Sequence, residues 1–283
     1  MMSTAAGGPA SGGISPNNVL ILGVVGGLAG IYLTTLNLSM NTTIFSFMGG
    51  IGAIFAAVWG ADAVRRVCSY GLGTGVPSIG MLALGMGIVA AMFGLSLPES
   101  DLIALPAAAN YLGPIISFIT ASIMGLIIGI MANKILKMNI PIMEKSMLEI
   151  AGAGCLVMIG LSVAIVGDFR FEEGIVPGVI TTGYIALVFI GGAMAMLHPF
   201  NACLGPDEKQ YRTLTVGVEK TALMMVLVGV ASLTEIDAVS SALTIVIGLI
   251  IFVVYFKKFL EATHHDAYLI TGTGLLPTEE ELE

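Results

Sequence analysis

The sequence is poor in charge, in cysteine and in basic residues near its start, and each shortage closes off a class of protein. Only 11% of the 283 residues are charged, against roughly 25% in an ordinary soluble domain. With a mean hydropathy of +0.97, that excludes a water-soluble fold. Nineteen acids against eleven basic residues leave a net charge of -8, which argues against nucleic acid as a partner and against a polybasic surface for anionic lipid. The three cysteines, Cys68, Cys155 and Cys203, are far apart with no CxxC spacing, so neither a disulfide framework nor a zinc site is expected. Residues 1–18 carry no Lys or Arg, so the charged start of a secretory signal is missing and the first helix is expected to be retained. A Walker loop, an HExxH motif, an intramembrane histidine pair and any nucleophile, base and orienter set are all lacking. The chain alone is not expected to catalyse a reaction.

What the sequence does contain is long apolar runs. None alternates as a barrel strand would, and about 20 apolar residues suffice to cross a bilayer as a helix. Eight runs qualify: 19–38, 44–61, 79–97, 112–132, 150–167, 178–197, 216–233 and 239–256. The fold class is therefore an all-α, polytopic transmembrane helix bundle of about eight spans, or six plus re-entrant segments. Residues 1–18 and 257–283 are expected to be tails flanking it. Glu219 and Lys220 interrupt the seventh run, which predicts a short, tilted or broken helix there. Ten of the eleven Lys and Arg fall on the side of the loops after even-numbered runs, counting Lys220 at the start of the seventh run, and only Arg170 falls on the other side. Because positive residues mark the cytoplasmic side, both termini are expected to be cytoplasmic in a multi-pass membrane protein. The outer loops are acidic. Gly23/Gly27, Gly26/Gly30 and Gly125/Gly129 are small-xxx-small pairs that let helix backbones approach. Two halves of four spans would form a parallel repeat, hinted at by FMGG at 47–50 and FIGG at 189–192.

Four acids are candidates for an ion path, because an ionisable group within a span defaults to a functional reading. Asp62 stands three and four residues before Arg65 and Arg66, so the three share a helix face; the plainer reading is a helix end snorkelling its charges to the interface. Glu219 sits where the seventh span begins, unless that helix starts only at Thr221 and Glu219 lies in a solvated first turn. Glu149, behind Glu144 and Lys145, has the same ambiguity. Asp168 lies on the outer side near Arg170, Glu172 and Glu173. Thr181, Thr182 and Tyr184 could add hydroxyls to a hard-oxygen sodium site, although helical hydroxyls usually bond their own backbone. Candidates for docking a cytoplasmic partner are Arg65, Arg66, His198, Asn201, Lys209, Arg212 and Lys220. His198 alone is more simply an interfacial histidine, and His264-His265 is a weak metal motif. Gly71, Gly73 and Gly75 lack the preceding strand of a dinucleotide fingerprint.

Two runs, WGADAVRRVCSYGLGTGVPSIG at 59–80 and HPFNACLGP at 198–206, closely resemble the C-subunit family of tetrahydromethanopterin S-methyltransferase, the membrane methyltransferase of methanogenic archaea. The length and helix-rich layout agree over essentially the whole chain. The resemblance implies a multisubunit enzyme of methanogenesis that moves a methyl group from methyl-tetrahydromethanopterin to coenzyme M by way of a corrinoid, coupled to outward sodium translocation. It also implies that the corrinoid belongs to the A subunit, that the H subunit performs the first methyl transfer, and that the C, D and E subunits form the membrane core. The chain would then bind no cofactor itself, with membrane lipid, the D and E subunits and the corrinoid-bearing A subunit as its partners. The resemblance assigns no sodium ligand to any position here. Two rival classes remain: a stand-alone ion-coupled secondary transporter and a pure assembly scaffold. Purification separates the first, since a transporter would be active alone, whereas a component of the complex would co-migrate with membrane partners and a cobalt-containing protein.

Overall fold

A computed structural model describes residues 13–70, 75–100, 107–202 and 209–270. Among them the chain is all-helical, without a strand. The first run is α1 (Pro16–Leu33), with Pro16 in its first turn and Ser15 capping the Asn18 amide at 3.3 Å, continued by the short α2 (Thr35–Met40). Then follow α3 (Phe47–Cys68), α4 (Val76–Ser96), α5 (Gly113–Ile130) and α6 (Met143–Val166). A ten-residue π-helix (Phe171–Ile180) leads into α7 (Ile185–Ala202), and α8 (Gln210–Ala231) and α9 (Ala238–Ile270) complete the bundle.

Seven of these stretches are long and apolar enough to cross a membrane, and the bent pair makes eight if it counts as one span. The expected interruption is therefore misplaced. Glu219 and Lys220 lie inside a continuous α8, and the broken span is the sixth, bent by 88° between the π-helix and α7. Glu and Lys are good helix formers, so a charged pair need not end a helix. Pro177 stands just before the apolar run at 178–197, and Gly183, whose φ is +81°, stands within it. α9 continues as a helix through Lys257 and Lys258 to Ile270. The repeat finds no support: Phe47 is the first residue of α3, whereas Phe189 stands inside α7, and α3 is preceded by a short 3-10 turn at Ile44–Ser46 rather than a π-helix.

The core is organised around α6. In its most apolar stretch 94% of residues are buried, against 22% for α9, and α6 touches α1, α3, α4, α5, α7 and α8. A helix that is apolar all round belongs at the centre, and small residues bring its neighbours close. The paired glycines pack as their spacing predicts. A Cβ at Gly30 would lie 2.5 Å from the Gly52 Cα and 2.6 Å from the Met48 carbonyl oxygen, and one at Gly129 would lie 2.5 Å from the Glu144 Cα. α6 ends on Gly167 at φ +74°, the left-handed cap that glycine adopts without strain.

Antiparallel neighbours sort the charges. Arg65, Arg66, Lys134, Lys145 and Lys209 gather where α3 and α5 end and α6 and α8 begin, the basic end. Glu99, Asp168, Glu173, Glu235 and Asp237 gather at the opposite, acidic end. α7 runs between them: Tyr184 just before it meets the Thr234 hydroxyl at 2.8 Å, and Met196 near its other end packs on Gly60.

Candidate functional site

The deepest charges lie on α8. Glu219 is nine residues beyond Gln210, about 14 Å along the axis at 1.5 Å per residue, near the middle of a run that extends to Thr234. Its side chain is 1% exposed, and Lys220 Nζ donates to Oε1 at 2.7 Å. Oε2 is buried with no hydrogen-bond partner. The solvated-first-turn alternative for Glu219 is thereby overturned, because α8 begins eleven residues before Thr221. The approach is lined by threonines that serve the backbone: Thr215 donates to the Tyr211 carbonyl and Thr221 to that of Gly217. His198, half-buried on α7, lies within electrostatic reach of both Lys220 and Glu219.

A second cluster lies nearer the basic end. Asp62 is fully buried, and its two oxygens are taken: Oδ1 accepts from Arg65 Nη2 at 3.0 Å and Gln210 Nε2 at 3.1 Å, and Oδ2 from Arg66 Nε at 2.8 Å. Arg66 also donates through Nη2 to Glu149 Oε2, which accepts from Trp59 Nε1 at 3.2 Å. The other Glu149 oxygen has no hydrogen bond; Lys145 Nζ stands 3.8 Å away on a half-exposed side chain. Gln210 in turn donates to the Ile14 carbonyl at 2.9 Å, tying the approach to α1 onto α8. The cluster thus cross-links α1, α3, α6 and α8.

Asp168 is not with the other three acids. It sits at the acidic end and accepts from the Arg170 amide at 3.0 Å and Nε at 2.9 Å, while Arg170 also pairs with Glu173. The bonds to Asp168, together with nearby acids, hold the Arg170 guanidinium above its ordinary value. Asp168, Glu173, Glu235 and Asp237 line an open vestibule of 1030 Å³ with Asn37 and Thr43. Asp237 caps α9 through the Val239 and Ser240 amides, both at 3.0 Å. The Ser240 hydroxyl first, then that of Thr43, lower its carboxyl to about 2. Glu99 caps the π-helix, accepting from the Phe171 and Glu172 amides at 2.8 Å. Thr182 and Tyr184 belong to the bend, where Thr182 donates to the Gly178 carbonyl.

The docking candidates divide. Arg65 and Arg66 face inward onto Asp62 and Glu149, with side chains 23% and 13% exposed. Lys209 is exposed, Arg212 and Lys220 are half-buried, and the side chain of Asn201 lies outside the described residues. The side chains of His264 and His265, Cys203, and Gly71 and Gly73 lie outside them too. Among the described residues no group of three His, Cys, Asp or Glu side chains could hold a metal ion. Trp59 and Gln210 escape a reading of the sequence, because an indole and an amide inside apolar or polar runs announce no partner 90 or 148 residues away.

Residues 1–280 match the family model of the C subunit of tetrahydromethanopterin S-methyltransferase. The chain is 54% identical over 283 residues to the C subunit of this enzyme from Methanosarcina acetivorans, covering all of both chains. It is 42% identical over 280 residues to that of Methanothermobacter thermautotrophicus and 37% identical over 280 to that of Methanocaldococcus jannaschii, in each case covering 99% of this chain and 100% of the relative.

Proposed function

Since the chain belongs to the C-subunit family of tetrahydromethanopterin S-methyltransferase, and is thus one component of a multisubunit methyltransferase, with multiple apolar helices, we propose that it couples methyl transfer to sodium translocation by carrying part of the ion path. The methyl chemistry takes place on partner subunits, including the corrinoid-bearing A subunit, and the chain assembles with the polytopic D and E subunits. Both termini are cytoplasmic in this arrangement, a reading supported by the positive residues of the basic end.

The observation that carries this reading is Glu219: a carboxylate buried near the middle of a span, with one oxygen unpartnered. Such a group is costly in a bilayer and defaults to function. Asp62 is the weaker ion ligand of the set, because its oxygens already accept from two guanidinium groups and an amide. Its role is to hold the basic end together. Glu149 keeps one open oxygen beside that cluster. The acidic vestibule gathers cations at the other end, where Asp168 and Asp237 lie. Coupling requires that the partner's methylated and demethylated states bind the membrane core differently, since a ligand shifts an equilibrium only through differential affinity. The basic end, with Lys209 and Arg212, is the surface offered to that partner.

Vesicles containing the whole complex test this. Glu219→Gln is expected to abolish the sodium dependence of methyl transfer, and Asp62→Asn to weaken it through a loosened basic end. Unchanged sodium dependence in both variants would refute the ion-path role.

A further inference from the structure

Adjacent residues on a helix point about 100° apart, yet the charged groups of Glu219 and Lys220 meet at 2.7 Å. Lys220 reaches this contact by laying its four-carbon stem across α8, where a lysine near an interface would extend its head toward water. The two partners differ in freedom. Glu219 is 1% exposed and fixed on the inside, whereas the Lys220 side chain is 20% exposed and long enough to leave. The other Glu219 oxygen has no partner. His198 on α7 lies within electrostatic reach of both groups.

We propose that Lys220 is a resident counter-cation: its ammonium holds Glu219 when no sodium is bound, and an entering sodium ion takes its place while the ammonium swings along α8 toward the basic end. This rests on Glu219 being the sodium-binding carboxylate. Sodium prefers hard oxygen ligands, and Glu219 offers one oxygen at once and the second when the ammonium departs. Were sodium simply added, one carboxylate would face two cations and leave a net positive charge inside the bundle, which is the costly state. Exchange keeps the interior neutral before and after. It also makes the tethered ammonium a competitor that drives release, so the site binds sodium weakly enough to let it go.

The test uses the intact complex with Lys220→Met, Lys220→Arg and Glu219→Gln. Two quantities are read: the sodium concentration that half-saturates methyl transfer, and the thermal stabilisation of the complex by sodium chloride over an equal concentration of choline chloride. An opposite charge a few ångströms away lowers a carboxylate's proton affinity by about 10-fold to 1000-fold, and a sodium ion at the same oxygens meets the same repulsion. Lys220→Met is therefore expected to lower the half-saturating concentration by about 10-fold or more and to make thermal stability depend on sodium. Lys220→Arg, which pairs more firmly with a carboxylate, is expected to raise the half-saturating concentration. If Glu219→Gln abolishes the sodium response but Lys220→Met leaves half-saturation unchanged or raised, Glu219 stands as the site and the exchange is overturned. If Glu219→Gln leaves the response intact, the sodium site itself falls, and the exchange with it. Should Lys220→Met fail to assemble, Lys220→Arg decides, because unchanged half-saturation there overturns the exchange.

Discussion

Arg66→Met is the most informative structural perturbation. Arg66 bridges Asp62 on its own helix and Glu149 on α6, so its loss acts unequally on the two acids. Asp62 keeps Arg65 at 3.0 Å and Gln210 at 3.1 Å. Glu149 keeps only the Trp59 indole at 3.2 Å and a half-exposed Lys145 at 3.8 Å, in a position 1% exposed. Removing one partner of a buried ion pair typically costs about 3–5 kcal/mol, because it leaves an uncompensated buried charge. At about 1.4 kcal/mol per factor of ten, the low end of that range is a shift of over 100-fold in the unfolding equilibrium. Adding Glu149→Gln removes the orphaned charge, so the double variant is expected to recover about 2 kcal/mol, a coupling within the range for residues in one network. The assay is the midpoint of SDS-induced unfolding in mixed micelles for the wild type, both single variants and the double. A cost below about 1 kcal/mol for Arg66→Met, or a double variant that equals the sum of the singles, would refute the buried-pair reasoning and make the cluster a solvated surface.

Gly30→Ala places a methyl against the Gly52 backbone at 2.5 Å and is expected to cost about 1–3 kcal/mol through separation of α1 and α3; Gly85→Ala, with nothing within 4 Å, should be neutral or slightly stabilising in the same SDS-unfolding measurement. Asp237 is depressed to about 2, so its contribution is full above the unfolded carboxylate value near pH 4 and is lost as the pH falls toward 2. Asp237→Ala should therefore cost about 1 kcal/mol of cap stability at neutral pH and flatten that acid limb when unfolding is followed against pH. Gln210→Ala removes the donor shared by Asp62 and the Ile14 carbonyl, and limited proteolysis ahead of α1 is expected to speed up.

Hydropathy locates the membrane-crossing stretches but can draw them too short at a charged end, since a charge bounds the apolar run while the helix continues past it. α3 carries on through Asp62 and Arg66, and α6 begins seven residues before 150. The pairing of Asp62 with Arg65 and Arg66 is legible because three and four residues bring side chains to one helical face. The Arg66–Glu149 link is not, because it joins positions 83 residues apart through tertiary packing. The break before α7 hides for a different reason: Thr181, Thr182 and Gly183 sit in an apolar context, and hydropathy is blind to backbone direction. Glu219 and Lys220, conspicuous for their charge, point to a break that the helix they stand in does not have.

The enclosure of α6 also bears on how the chain is made. Helices enter the bilayer in chain order, so α1, α3, α4 and α5 are in place before α6 emerges. Those four form the groove into which α6 docks, and α7 and α8 later close over its remaining sides. Until α6 arrives, Asp62 and Arg66 wait without Glu149, and until α8 arrives Asp62 lacks Gln210. The charges of the basic end are therefore joined in the order of synthesis, with α6 and then α8 fastened to α3.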